Sequence, residues 1–442
     1  MDVIKNLSEA IKIKTVSNSD YEKINFSEFD KFIEYLKNTY KLVHSHLEFT
    51  RVNTYGLVYR WRGESKDKLP IMFIAHYDVV PVENNTEKDW KYDAFSGIVA
   101  EERIWGRGTL DIKSQVIAIL ETAEQLLNNG YMPERDIFFA FGHDEEVGGR
   151  NGAKQIAEYF SEKNIKFEAI YDEGGIVITD AMKNVKSPMA LIGIAEKGYC
   201  DVKIKVNSDG GHSSMPPKNT ALGNLSKIIC EIEKKPMKAK LCMPVHNMLK
   251  NICSEMGILV EIAVKNSWLF KPVLIKILSS SPMTNAMVRT TTAATMSKAS
   301  DAPNVLPQNA IAVINSRLLP GDSSEDLVNH IKQITDKYNA EVEKIQVEEP
   351  SQISPIDTIG YMKLQETIKK IFGNVIVTPY LVMGGTDSRK YEIVCNNIYR
   401  FTPCKINSEE QSTMHNTNES ITIENYYKML NFYEYIITNF DK

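Results

Sequence analysis

Two side chains suited to metal binding follow an apolar run in the first quarter of the chain. The run Ile71–Ala75 is followed by His76, and Asp78 comes two residues later. Because side chains of an extended segment alternate between its faces, His76 and Asp78 point to one side. A zinc-bound histidine usually donates its other ring N–H to a carboxylate. This spacing allows a ligand His76 oriented by Asp78, and it equally fits a structural histidine.

A second acidic residue, Asp111, follows a glycine-rich turn. Gly106 and Gly108 permit a tight turn and close approach of the backbone. The carboxylate of Asp111 could bridge two cations. It could also cap the helix that the downstream apolar spacing predicts.

Three adjacent acids, Asp144, Glu145 and Glu146, follow the apolar run Ile137–Phe141. Packed carboxylates repel one another, but they become favourable beside a multivalent cation or when one keeps a raised pKa as a proton acceptor. In that arrangement Glu145 is the general base and Glu146 a ligand. A solvated acidic turn is the alternative.

Two further positions complete a possible ligand set. The run Ala169–Tyr171 is followed by Asp172 and Glu173, either of which could bind a metal, and His415 lies in a polar segment near the C-terminus. One histidine and one carboxylate per ion, together with a shared aspartate, is a composition expected of a hydrolytic two-metal site.

The elements that must position these residues have α/β character. Short apolar runs alternate with helical spacing, and polar residues at strand ends and helix starts are where α/β enzymes place their sites. After about residue 195 the pattern changes to alternating strands, which indicates a smaller inserted α+β domain, and Pro350 and Pro355 mark its end. We therefore predict a catalytic domain over 1–195 and 351–442 and an inserted domain over 196–350. Strands are predicted over Gly56–Trp61, Cys200–Val206, Ala310–Leu319 and Glu341–Val347, and a helix is predicted over Ser324–Thr335.

Bulk properties exclude several classes of protein. The 442 residues carry a net charge of −5 without a basic block, so we expect no nucleic-acid partner. The N-terminus is amphipathic rather than signal-like. The stretch Trp268–Leu278 is interrupted by Lys271, Pro272 and Lys276 and is too short to span a bilayer, so we expect no membrane partner. Six scattered cysteines suit a reducing compartment, and we expect a cytoplasmic protein.

The combined motifs resemble those of the two-zinc peptidase and deacylase family that contains aminoacylase, carboxypeptidase G and carboxypeptidase S. The resemblance runs along nearly the whole chain. It implies an α/β catalytic domain, with a mixed central sheet flanked by helices, and an inserted lid or dimerisation domain. The motifs that carry it are Thr15–Ser17, His76–Asp78, Gly106–Asp111, Asp144–Glu146, Asp172–Gly175, Gly211–Ser214, Asn304–Pro307, Gly385–Arg389 and His415.

The resemblance also implies roles for the clustered residues. His76, Asp111 and one of Asp172 and Glu173 would hold the first zinc ion, and Asp111, Glu146 and His415 would hold the second. Co²⁺ or Mn²⁺ could substitute for zinc. Glu145 would be the base that takes a proton from the attacking water, and Asp78 would orient His76.

The inserted domain carries a further candidate, His212. In relatives the matching histidine stabilises the oxyanion, often from a partner subunit, so the resemblance implies a possible homodimer. The spacing alone fits a turn histidine equally well. One departure is Asn416, which stands where many members have glycine and leaves substrate preference more open than metal binding.

Within the family the motifs most resemble carboxypeptidase S and Gly-X carboxypeptidases, which implies hydrolysis of short peptides beside a free C-terminal carboxylate. An N-acyl-amino-acid amidohydrolase is the alternative, and a non-catalytic binding protein is a third. Arg317 and Arg389 are candidates to bind the substrate carboxylate, because guanidinium groups match it bidentately, although either could form a structural ion pair. Asn304 and Gly385, in matching motifs, are further candidate substrate contacts.

Overall fold

The computed structural model describes residues 2–182 and 185–442, and the chain divides into two compact units. The first unit contains Met1–Ile194, Ser354–Tyr380 and Thr386–Lys442. The second contains Ala195–Ile353 and the short segment Leu381–Gly385, so Gly385 belongs to a different unit from the residues that follow it.

Helices are distributed through both units. The α-helices are α1 Val3–Ile11, α2 Phe26–Thr39, α3 Lys41–His46, α4 Lys113–Asn128, α5 Ala153–Glu162, α6 Ala221–Lys234, α7 Met243–Ile252, α8 Ile258–Lys265, α9 Ser267–Leu278, α10 Pro282–Val288, α11 Ser324–Thr335, α12 Ile359–Phe372, α13 Ser408–Gln411 and α14 Ile423–Asn439. Short 3-10 helices cover Tyr21–Lys23, Glu87–Asp89, Glu145–Val147, Asp336–Tyr338 and Asp387–Ile393.

Each segment that the sequence predicts as a strand contains a strand in the structure. They are β1 Glu48–Val52, β2 Gly56–Trp61, β3 Ile71–His76, β4 Val99–Ala100, β5 Arg103–Trp105, β6 Ile137–Gly142, β7 Ala169–Asp172, β8 Val177–Ile178, β9 Met189–Glu196, β10 Gly198–Asn207, β11 Gly211–His212, β12 Thr291–Lys298, β13 Val305–Leu306, β14 Asn309–Leu318, β15 Ala340–Glu348, β16 Ile376–Val382, β17 Ile398–Arg400, β18 Lys405–Ile406 and β19 Ser420–Thr422.

The largest sheet among the described residues has ten strands and a mixed direction. Its order is β1-β2-β6-β3-β7-β17-β9-β8-β18, with β16 paired to β9. The central strands β6, β3, β7 and β17 are parallel, whereas β1, β2 and β9 run antiparallel to their neighbours. The expected α/β fold with a mixed central sheet flanked by helices is therefore confirmed.

Both faces of the central strands are buried, which explains why these strands are apolar throughout. On β3, Met72 and Ile74 pack with α5 in one hydrophobic cluster. Phe73 points to the other face, where its ring lies 5.7 Å from that of Tyr433 in α14. Helices on both faces of parallel strands hold these strands rigidly, so the polar residues at the strand ends have fixed positions.

The N-terminal segment supports the loop that follows β3. Val16 forms a parallel bridge with Val79, and the Thr15 hydroxyl donates a 2.5 Å hydrogen bond to the carbonyl of Tyr77. Nearby, the buried Lys113 ammonium donates to the carbonyls of Ala10 and Ile13. The motif at Thr15–Ser17 therefore has a structural role next to the candidate ligands.

The second unit is built on a four-stranded antiparallel sheet of order β12-β14-β10-β15. Strand β10 alternates between buried and half-buried residues, and its buried side chains, such as Val202 and Ile204, pack with residues of α6 and α11. This α+β arrangement agrees with the alternating pattern of Cys200–Val206.

The segment between α6 and β12 is helical in the structure. The sequence shows no clear period there, yet the chain forms the four helices α7 to α10. In α9 apolar residues occupy every side, and Pro272 lies inside the helix. Such a sequence has no single apolar stripe, which is why its periodicity does not reveal a helix.

No helix of the described residues is long and apolar enough to cross a membrane. All six cysteines are free thiols.

Candidate metal centre

The candidate ligands of the first unit lie at the carboxyl ends of adjacent parallel strands. His76 ends β3 and pairs in register with Gly142, the last residue of β6. Glu145 and Glu146 follow β6, and Glu173 follows β7. Since parallel strands end at the same edge of a sheet, residues far apart in sequence converge there.

Asp111 lies between two histidines. Its Oδ1 atom is 3.1 Å from Nε2 of His76, and its Oδ2 atom is 2.8 Å from Nε2 of His415. Asp111 precedes α4 by two residues and makes a cis peptide bond with Ile112. The helix-capping alternative for its side chain is not what the structure shows, because α4 has no side-chain cap.

Glu173 and Asp172 point to different surroundings. Oε1 of Glu173 lies 3.3 Å from Nε2 of His76. Oδ2 of Asp172 instead accepts hydrogen bonds from the Thr386 hydroxyl at 2.7 Å and from the Ser388 backbone N–H at 3.1 Å. Of the two acids left open by the sequence, Glu173 is the one that faces the histidine.

The three acids after β6 have separate environments. Asp144 accepts hydrogen bonds from the backbone N–H groups of Asn151 and Gly152, at 2.7 and 2.8 Å, and shapes the loop. Glu146 Oε2 lies 3.2 Å from Nε2 of His415. The side chain of Glu145 offers an oxygen within 4.8 Å of ligand atoms of His76 and Glu173. Glu145 and Glu146 therefore face the cluster, whereas Asp144 is turned into the protein.

Asp78 connects His76 to the acidic loop. Nδ1 of His76 lies 3.0 Å from the Asp78 carbonyl oxygen and 3.3 Å from its carboxylate. That carboxylate also accepts the backbone N–H groups of Glu145 and Glu146, each at 3.2 Å. Burial alone would raise the pKa of Asp78, but these bonds and His76 hold it below its usual value. Asp78 is thus placed to orient His76 and to fix the loop.

The carboxylates shift both histidines toward the charged form. Burial opposes a charge on His76, but Glu173 and Asp111 outweigh that effect and raise its pKa well above the usual value. Hydrogen bonds to Asp111 and Glu146 raise the pKa of His415 to about 10. The field that favours protons on the two imidazoles would equally favour metal cations.

The same crowding of carboxylates shifts the glutamates toward their neutral form. Burial and neighbouring carboxylates raise the pKa of Glu173 to about 8 and that of Glu145 well above its usual value. Burial also raises the pKa of Glu146, which its contact with His415 opposes. The crowded negative charge is therefore unfavourable, and cations bound among these carboxylates would relieve it.

The donors at this cluster fit divalent cations. Ligand atoms of His76, Asp111 and Glu146 lie within 4.8 Å of one another, as do those of His76, Glu145 and Glu173. The buried Oε1 atom of Glu146 has no hydrogen-bond partner, so it is free to coordinate. Four carboxylates face two imidazoles, and divalent cations would balance this excess of negative charge. Nitrogen and carboxylate donors of this kind suit zinc.

Glu419, to which the sequence motif assigns no role, holds the loop that carries Asp111. Its buried Oε1 accepts the backbone N–H groups of Gly108, Leu110 and Asp111 at 2.9, 2.8 and 3.3 Å. Its Oε2 accepts a 2.5 Å bond from the buried Arg107 guanidinium. Because Glu419 lies four residues after His415, it ties together the two loops that flank the cluster. An arginine beside Gly106 and a glutamate in the last motif were the available signal for this pair.

The remaining predicted residues belong to other elements of the fold. His212 is exposed on β11, and its Nδ1 accepts a 3.1 Å hydrogen bond from the Ser214 backbone N–H. The backbone carbonyl of Asn304 accepts a 3.1 Å hydrogen bond from the backbone N–H of Ser213. The guanidinium of Arg317, on β14, lies 4.9 Å from the centre of the Tyr199 ring. These residues and Gly385 belong to the second unit, whereas Arg389 belongs to the first, in the 3-10 helix Asp387–Ile393.

Comparisons with known proteins agree with this geometry. The sequence profile of peptidase family M20/M25/M40 matches residues 72–439. The chain is 37% identical to probable carboxypeptidase S-like 2 of Dictyostelium discoideum, in an alignment that covers all of this chain and 86% of that protein. It is 36% identical to N-fatty-acyl-amino acid synthase/hydrolase PM20D1 of Mus musculus, over 98% of this chain and 87% of that protein.

Solved structures show the same fold. An M20 family metallo-carboxypeptidase from Sulfolobus solfataricus superposes with a TM-score of 0.71 at 19% identity, covering 100% of this chain and 99% of the other. Human carnosine dipeptidase 1 superposes with a TM-score of 0.63 at 15% identity, covering 99% of this chain and 96% of the other. The chain therefore belongs to peptidase family M20/M25/M40 and is a metal-binding hydrolase of peptide bonds.

Proposed function

We propose that the chain is a two-zinc carboxypeptidase that hydrolyses the amide bond next to the free C-terminal carboxylate of short peptides. The position of Asp111 between His76 and His415 carries this proposal. Each imidazole approaches a different oxygen of the same carboxylate, at 3.1 and 2.8 Å. A carboxylate placed to bridge two cations is a central feature of hydrolytic two-metal sites.

The contacts suggest how the ligands divide between the two ions. Glu173 accompanies His76, and Glu146 accompanies His415, at 3.3 and 3.2 Å. Asp111 belongs to both sets. Asp172 is assigned to neither, since the loop at 386–388 already engages its carboxylate. Cobalt or manganese should substitute for zinc, because the same donors suit them.

Glu145 is the proposed general base. Bound zinc would supply Lewis-acid polarisation of the scissile carbonyl and stabilise the negative charge that develops on its oxygen. Glu145 takes a proton from the attacking water and passes it to the leaving nitrogen. Its carboxylate lies within 4.8 Å of ligand atoms of His76 and Glu173, so it can reach a water held at the cluster. Asp78 fixes the backbone of Glu145, which keeps the base in place.

His212 is the proposed donor to the oxyanion. Because Nδ1 of His212 accepts the Ser214 N–H, the neutral ring carries its proton on Nε2. An exposed Nε2–H is a suitable donor toward a tetrahedral oxyanion. We further propose that this donor acts across a homodimer. Mixing inactive His212→Ala with inactive Glu145→Gln subunits should then restore part of the activity, and no recovery after proven subunit exchange would contradict action in trans.

Arg317 is the first candidate to bind the substrate carboxylate, with Asn304, Gly385 and Arg389 as further substrate contacts. The half-buried Arg317 guanidinium is pre-ordered by stacking on Tyr199, so less freedom is lost when it binds a carboxylate. Amidating the substrate carboxylate should therefore impair the wild type far more than Arg317→Ala. Equal impairment of both proteins would dismiss Arg317 as the carboxylate-binding residue.

Two neighbouring glutamates allow a matched test of the base. Glu145→Gln should retain its metal but lose several orders of magnitude in kcat, beyond the roughly 10²–10⁴ typical of acid–base catalysis. Glu146→Gln should lose metal from one position, because a ligand is changed. Metal content by elemental analysis and turnover are measured on both variants. Near-normal turnover of Glu145→Gln would move the base role elsewhere.

A second candidate function is hydrolysis of N-acyl amino acids. The 36% identity to a relative named N-fatty-acyl-amino acid synthase/hydrolase favours it. The two functions share a leaving amino acid with a free carboxylate and differ in the acyl side. Leucine released from N-protected glycyl-leucine and from N-oleoyl-leucine should be compared under equal conditions. A larger kcat/KM for the peptide supports the carboxypeptidase, and a larger value for the fatty-acyl substrate supports the alternative.

A further inference from the structure

Helices α8 and α9 of the second unit expose an unusual number of large apolar side chains. Leu259 and Trp268 are 81% and 82% exposed. On α9, Leu269, Val273 and Ile277 are also exposed and recur every four residues, so they form one stripe along the helix. The buried residues of these helices are only Val264, Leu274 and Leu278 among the described part of the chain.

This exposure needs a partner. Soluble proteins tolerate isolated apolar side chains on their surface, but a grouped set of this size marks an interaction site. Helices α8 and α9 are consecutive, separated by Asn266 alone, and Ile258 and Ile262 add to the exposed set on α8. We name the exposed side chains of α8 and α9 the apolar face.

The segment that carries the apolar face has an excess of positive charge. Residues 243–288 contain four lysines and two glutamates, a balance of +2, whereas the whole chain carries −5. Lys265 forms an ion pair with Glu261 on α8. Lys271 and Lys276, on α9, have no acidic partner within residues 2–182 and 185–442. Their ammonium groups are therefore available to an external anion.

We infer that the apolar face binds the surface of an anionic lipid membrane. Trp268 and the aliphatic stripe would enter the headgroup region, while Lys271 and Lys276 extend their stems along it and meet lipid phosphates and carboxylates. A second copy fits less well. In a two-fold dimer the same patch meets itself, which would bring the unpaired lysines of the two copies together.

Helix α9 is too short to cross a bilayer, so its contact with a membrane would be at the surface. The 12 residues of α9 extend about 18 Å, well short of the roughly 30 Å hydrocarbon core. From the sequence we expect no membrane partner, because Trp268–Leu278 cannot span a bilayer. Because the apolar side chains of this segment are exposed on a folded unit, we now expect it to contact the surface of a membrane without crossing it.

The test is flotation of the full chain with vesicles of phosphatidylcholine, alone or mixed with phosphatidylserine. The wild type should float with the mixed vesicles, and less so at high salt. Lys271→Gln with Lys276→Gln should weaken binding roughly 25-fold, since one lysine contributes about fivefold near an anionic surface. Trp268→Ser with Leu269→Ser should abolish binding. Met132→Ser, which changes a side chain 58% exposed in the first unit, is the matched control and should bind normally.

Trp268 also provides a direct signal. The other three tryptophans, Trp61, Trp90 and Trp105, are buried or half-buried, so an emission shift on binding reports mainly Trp268. Absence of wild-type flotation with phosphatidylserine vesicles overturns the inference, as does equal loss in Met132→Ser. If sedimentation without lipid shows a wild-type dimer that Trp268→Ser converts to monomer, a second copy covers the apolar face and the inference fails.

Discussion

The pair Arg107–Glu419 offers a sensitive test of how the Asp111 loop is held. Glu419→Gln keeps an oxygen for the three backbone N–H groups of residues 108–111 but removes the partner of the Arg107 charge. Both side chains are almost wholly buried, at 3% and 0% exposure. Breaking such a buried pair on one side costs about 3–5 kcal/mol of stability. The loss should also loosen Asp111.

Zinc affinity is the informative measurement for this variant. Changing a group that orients a ligand typically costs 10–100-fold in metal affinity, and we expect that range for Glu419→Gln in competition with a chelating dye. Adding Arg107→Met removes the unpaired charge and should recover part of the stability. The reasoning is refuted if Glu419→Gln changes neither zinc affinity nor unfolding by more than about 1 kcal/mol, or if Arg107→Met adds to the damage.

Three further predictions concern other parts of the chain. His415→Ala should weaken one zinc site and spare the other, so titration with a chelating dye should show one weakened and one unchanged affinity. Gly175→Ala would place a methyl group 1.8 Å from the Leu191 carbonyl oxygen and should cost roughly 1–3 kcal/mol in urea unfolding, whereas Gly384→Ala, which meets open space, should cost little. Burial raises the pKa of Glu121, so its stabilising contribution is complete below the unfolded pKa and is lost as pH rises through the folded pKa. Glu121→Gln should therefore gain stability relative to the wild type as pH rises from the usual glutamate range toward neutral, and a stability difference that does not change with pH would contradict this.

The strands that carry the site were predictable because their signals are local. Apolar runs ending in His76, before Glu145 and before Glu173 identify buried strands with polar ends, and the structure brings these residues together. The choice between Asp172 and Glu173 was not predictable. Adjacent residues after a strand point to different sides, and only the hydrogen bonds from Thr386 and Ser388, more than 200 residues away, separate them.

Other features could not be predicted from the sequence because local patterns do not show them. Glu419 bonds to a loop about 310 residues earlier, and although Arg107 and Glu419 both lie in the recognised motifs, no local pattern pairs them with each other. Helix α9 has apolar residues on every side, so its helical period is hidden in the sequence. Segment Leu381–Gly385 joins the second unit through tertiary contacts, although its position in the chain suggested the first.

The most direct test of the proposed two-zinc centre is an anomalous difference map collected at the zinc absorption edge from crystals of the active protein. We predict two peaks about 3.5–4 Å apart on either side of the Asp111 carboxylate. One should be coordinated by His76 and Glu173 and the other by Glu146 and His415. A single peak, or two peaks that Asp111 does not bridge, would contradict the account.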